Sequence, residues 1–102
     1  MILVAAMTLS EFKATVKRTK SPPDLSPALR ALWWAGNGKW DEAHSIVMNE
    51  GGKDCAWVHA YLHRLEGDLD NARYWYRQAR RSEPADSLAE EWNEIAASLL
   101  DA

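Results

Sequence analysis

The chain has 102 residues, 47% apolar and 26% charged, with a net charge of −3. That balance suits one globular domain with a core that needs no metal or disulfide, and it excludes a disordered or strongly basic chain. The single cysteine, Cys55, excludes an internal disulfide and points to a reducing, cytoplasmic setting.

The run from Met1 to Met7 is apolar and carries no basic n-region. It is too short for a membrane span or a signal peptide, so it reads as a fraying end or an apolar strip against the domain. Thr8-Leu9-Ser10-Glu11 has the form of a capping box and predicts a first helix over about Ser10 to Arg18. Ser21-Pro22-Pro23-Asp24 breaks it, because successive prolines cannot continue a helix. Ser26-Pro27 starts a second helix, with serine as cap and proline in the first helical position. Gly36-Asn37-Gly38 stops that helix near Ala35.

A third helix is predicted from Trp40 to Asn49, ended by Gly51-Gly52. A fourth, capped by Asp54, reaches Glu66 and stops at Gly67. A fifth, capped by Asp68, reaches Arg81 before Pro84. Ser87 and Glu90 form another capping box and open a last helix to Leu100. No segment alternates long enough to be a strand, and short connections predict antiparallel neighbours. The expected fold is all-α, with about six helices arranged as hairpins.

Gly38-Lys39-Trp40-Asp41-Glu42-Ala43 is repeated as Gly67-Asp68-Leu69-Asp70-Asn71-Ala72, 29 positions further on. In both, a glycine ends one helix and an alanine follows five residues later, where a small side chain lets two helices approach closely.

This pattern resembles the tetratricopeptide repeat, which has a small residue at the helix crossing, an aromatic four residues on and a closing proline. Ala72, Tyr76, Ala79 and Pro84 match the motif in the second copy, with Ala60 in the small position of its first helix. Ala56, His59 and His63 depart from it. The first copy keeps Ala31, Trp34, Gly38 and Ala43, has Val47 for the aromatic and lacks the proline. The resemblance implies one domain: a helix and proline-rich linker over 9–25, two degenerate repeats over 26–84, and a capping helix over 85–102. The stretch from Ala56 to Arg64, with Asn71 to Tyr76, is also similar to a group of short bacterial proteins with no assigned function.

The tetratricopeptide resemblance implies an interaction module whose partner is a protein or peptide segment, or a second copy of the chain. Trp57, Tyr61 and Arg64, spaced i, i+4 and i+7, fall on the stripe that lines the groove in that fold, and aromatics and arginine are common interface anchors. An alternative is that the last helix covers the groove, with Trp92 against Trp57. A second candidate set is His59, His63 and Glu66, on one helical face, with His44 available to join them. Two imidazoles one turn apart can hold a metal, with a carboxylate or third histidine completing the shell, and the same set can instead take a small ligand or anion. The plainer reading makes them core histidines bonded to Tyr74 or Tyr76.

Arg73, Arg77, Arg80 and Arg81 stripe the fifth helix. They read as a face paired with Glu83, Glu90, Glu91 and Glu94, favoured by the helix dipole, in preference to a nucleic-acid surface. No phosphate loop or nucleophile elbow is present, so no catalytic residue and no cofactor is assigned. Cys55, at a helix start, reads as a core residue.

Overall fold

In the computed structural model, which describes residues 7–101, the chain forms six helices and, among the described residues, no strand. They are α1 (Leu9–Thr15), α2 (Pro27–Gly36), α3 (Trp40–Asn49), α4 (Lys53–Leu65), α5 (Leu69–Ala79) and α6 (Leu88–Leu100). Apart from Met7, which packs partly buried against the core, the apolar start lies outside the described residues.

Side-chain oxygens begin four of these helices. Thr8 and Ser87 each accept from the amide three residues on, while Glu11 and Glu90 bond back to the cap amide. Ser26 accepts from the Leu29 amide and Asp68 from the Asn71 amide. Such caps satisfy amides with no partner inside the helix, each contributing about 1 kcal/mol.

Three expected boundaries need correction. The first helix stops at Thr15, not Arg18, because the next carbonyls are taken from outside: the side-chain Nδ2 of Asn37 donates to Val16 O at 2.7 Å and Arg18 O at 2.8 Å. Asp54 is not the cap of α4. Gly52 occupies that position at φ 101°, and Asp54 lies in the first turn, where its charge faces the positive end of the dipole. Helix α5 ends at Ala79, since Arg80 turns into the left-handed region at φ 57°. The amide of Arg81 then closes on Tyr76 O at 2.9 Å, a Schellman-type stop without glycine.

Helices α2 and α3 pack on each other, as do α4 and α5, and the two pairs meet through α4. The three-residue connections at Asn37–Lys39 and Glu66–Asp68 turn each pair back on itself. Ala43 and Ala72, the repeated small residues, are buried in the core together with Ala31 and Ala60. Helix α6 packs against α1, α2 and α4. Gly36 marks one such contact: a Cβ there would lie 3.0 Å from both the Trp92 ring and Val16 Cγ1.

Helix α4 is the axis of the molecule. Every residue from Cys55 to His63 is buried, so no face of this stretch is left to solvent. A helix buried all round normally carries apolar residues throughout. Here the buried turns include His59 and His63, and that exception locates the site.

Candidate functional site: a buried histidine cluster

Helical spacing sends the side chains of α4 in two opposite directions. Trp57, Tyr61 and Arg64 point one way; His59 and His63 point the other. On the second side α3 contributes His44. One ring nitrogen from each of the three histidines lies within 4.8 Å of the others. The Nε2 atoms of His44 and His59 are 3.2 Å apart, so in the metal-free protein one ring donates and the other accepts. The rings lie 4.9 to 5.3 Å apart, centroid to centroid.

Two tryptophans wall the cluster. Trp40 stacks on His44 at 4.5 Å, its indole Nε1 anchored by donating to Leu62 O at 2.8 Å. Trp75 stacks on His59 at 3.9 Å. The expected tyrosine partners are therefore corrected. Trp75, not Tyr74 or Tyr76, covers His59, while the Tyr76 hydroxyl turns away to Glu91. Neither tryptophan stood out in the sequence, although Trp40 lies four residues, one helical turn, before His44 on α3.

His63 Nδ1 lies 2.7 Å from Glu66 Oε2, which leaves Nε2 as the only other ring nitrogen of His63. Glu66 is thus placed to orient His63, and with His63 and Asp68 it also forms a second trio of possible ligand atoms within 4.8 Å of one another. His59 Nδ1 is buried and has no hydrogen-bond partner among the described residues. An unpartnered buried nitrogen costs about 1–3 kcal/mol, and native structures hold few such groups. Burial, then the neighbouring His63 and His44, pushes the His59 pKa down to about 4. Burial also lowers that of His44, with His63 next in effect. Both rings are then neutral at pH 7, the form in which imidazole binds metal.

The opposite face of α4 carries a charged network, beside which the buried Oδ1 of Asp86 has no hydrogen-bond partner among the described residues. Glu91, 1% exposed, accepts from Arg64 Nη1 at 2.8 Å through one oxygen and from the Tyr76 hydroxyl at 2.6 Å through the other. Arg64 also donates to Asp86 O. Burial raises the Glu91 carboxyl pKa above its ordinary value, against the lowering pull of Tyr76 and Arg64.

Trp57 and Tyr61 are 4% and 6% exposed. Arg81, from beyond α5, lies 3.7 Å over the Trp57 ring. The expected groove stripe of Trp57, Tyr61 and Arg64 thus faces the interior, because α6 and the segment after α5 supply its partners. Trp92 is not the residue that meets Trp57; it stacks on Phe12 at 5.6 Å and donates to Leu32 O. Within the arginine stripe, Arg73 pairs with Asp70 at 3.0 Å and Glu83 at 3.1 Å. Cys55 is buried, and burial raises its thiol pKa, which disfavours the reactive thiolate.

Among the described residues no helix is long and apolar enough to cross a membrane. Compared with known families, curated proteins and solved structures, the chain matches none. The geometry of the histidine cluster therefore carries the functional reading.

Proposed function

We propose that the protein binds a divalent first-row transition metal, zinc in the first instance, through His44, His59 and His63. The observation that carries this reading is the convergence of three imidazole nitrogens within 4.8 Å, two of them 3.2 Å apart. A tetrahedral zinc with metal–nitrogen bonds of about 2.0–2.1 Å has nitrogen–nitrogen edges of about 3.3–3.4 Å. The His44–His59 pair already stands at that edge, and His63 brings a third nitrogen within 4.8 Å of both. Imidazole donors suit zinc, nickel and copper and do not suit calcium or magnesium, which take oxygen.

Three further features support the reading. The contact between His63 and Glu66 is the carboxylate–histidine pairing that fixes a ligand's tautomer and raises its basicity. Trp40 and Trp75 limit water around the donors and hold two of the rings in place. The unpartnered nitrogen of His59 makes the cluster an expensive way to fill a core, since an apolar side chain of similar shape carries no such penalty.

The test is metal analysis of untagged protein, with thermal unfolding before and after zinc. Zinc at a hundredfold excess over its Kd adds about 2.7 kcal/mol to stability. His44→Ala, His59→Ala and His63→Ala should each abolish that gain while remaining helical. Wild-type protein that neither retains metal nor is stabilised by zinc, nickel or cobalt would overturn the reading.

A further inference from the structure

Three nitrogen ligands leave a tetrahedral ion one donor short. Among the described residues, no fourth histidine, cysteine or carboxylate comes within 4.8 Å of all three histidine donors. Of the nearby acids, Glu66 is engaged with His63 Nδ1 and Asp68 with the Asn71 amide and side chain at the start of α5, while Asp41, three residues before His44 on α3, is exposed and makes no hydrogen bond to the histidines. Closed structural zinc sites have four protein ligands, whereas sites that act on a ligand keep one position open.

Access and charge identify what takes that position. His59 and His63 are 1% and 6% exposed, but His44 is only partly buried, so the cluster reaches solvent on the α3 side. Three neutral imidazoles leave the ion's double positive charge intact, and the carboxylate of Glu66 offsets only part of it. A bound cation is the largest local charge in such a site, and the residual charge attracts anions. The flat indoles of Trp40 and Trp75 stack on His44 and His59 and restrict the space beside the donors, so the incoming group is small.

We infer that the metal held by His44, His59 and His63 keeps its fourth position for an exogenous donor: a water molecule at rest, exchangeable for a small monodentate anion. This rests on the metal reading above and adds that the site is a ligand-binding centre and not a structural clip. A zinc-bound water in a three-histidine shell ionises near neutral pH, so hydroxide is one of the anions such a site presents.

The experiment uses the full chain loaded with cobalt(II), whose visible absorption follows its ligand set, titrated with sodium azide. The expected result is a saturable shift of the visible bands through shared crossing points, reversed by removing azide. The same bands should shift between pH 6 and 9 as bound water ionises, where about 7 is typical of such water. A cobalt spectrum unmoved by both azide and pH means that the fourth position is closed, and overturns this inference while leaving metal binding intact. Absence of any cobalt spectrum in wild-type protein overturns this inference, and if zinc and nickel also fail to stabilise the chain the metal reading falls with it. His59→Ala, which should show no cobalt bands, separates this site from adventitious binding elsewhere on the chain.

Discussion

Helix α4 carries polar groups into the core on two opposite faces, and the two faces satisfy them differently. On one, Arg64 and Tyr76 supply a donor to each oxygen of Glu91, so the carboxylate is fully engaged within the protein. On the other, His44 and His59 share a single contact and a buried nitrogen of His59 has no partner. A network of opposite charges rigidifies the fold, whereas neighbouring imidazole nitrogens with no opposite charge between them offer lone pairs to a ligand. Comparable burial therefore does not mean comparable purpose. Each face also holds one unpartnered buried atom, Asp86 Oδ1 beside Glu91 and His59 Nδ1 beside Trp75, so what distinguishes the candidate site is the gathering of three imidazole nitrogens.

The contrast can be broken most sharply at Glu91. Glu91→Ala leaves the buried Tyr76 hydroxyl without its acceptor and the partly buried Arg64 with only Asp86 O, and removing one partner of a buried pair costs up to about 3–5 kcal/mol. Urea unfolding should register that loss, while zinc binding by the folded fraction stays unchanged.

Acid is next in size. The folded-state pKa of His59 is depressed from 6.5 to about 4. Above pH 6.5 neither the folded nor the unfolded form carries the proton, and the contribution to stability is complete. As pH falls from 6.5 toward 4, the unfolded chain accepts a proton that the folded chain refuses, so stability declines. The loss is on the order of 3 kcal/mol, and His44 adds to it with the same sign. Metal-free protein should therefore unfold at lower urea at pH 5 than at pH 7.5, and a His59→Phe variant should show a flatter profile.

Glu66→Gln should weaken zinc binding about 10–100-fold, the usual cost of losing a carboxylate behind a histidine ligand, with little change in metal-free stability. Calorimetric titration checks it. Arg81→Ala removes a cation from the face of Trp57 and should cost about 0.5–1 kcal/mol, measured by urea unfolding.

The smallest stability effect is the most telling. His59→Phe keeps a flat ring against Trp75 and removes the unpartnered nitrogen, so metal-free stability should change by less than about 1 kcal/mol in either direction. Metal binding should nevertheless vanish. A loss at this position as large as that of Glu91→Ala would place the histidines with the structural network and remove the contrast.

Much of this was legible along the chain. Capping oxygens at Thr8, Ser26, Asp68 and Ser87, with glycine stops after α2, α3 and α4, define six helices to within a turn. The spacing of His59, His63 and Glu66 puts them on one face. What local spacing does not encode is which residues arrive from elsewhere. Glu91 looks like an ordinary acid in the first turn of α6, and only the packing of α6 over α4 turns it into the partner of Arg64, 27 residues away. Trp75 sits between two tyrosines that seemed equally placed to meet the histidines. The choice among the three depends on how α5 is rotated against α4, which side-chain type does not reveal.

Trp40 and Trp75 give the molecule a built-in optical gauge. Two of its six indoles lie face to face with candidate ligand rings, while Trp33, Trp57 and Trp92 are buried against other partners. A proton or ion arriving at those imidazoles sits directly against the indole faces, where a positive charge interacts most strongly with the ring. Occupancy of the histidine cluster should therefore appear in the protein's own fluorescence with no dye attached, and phenylalanine at positions 40 and 75 should leave the emission silent to it.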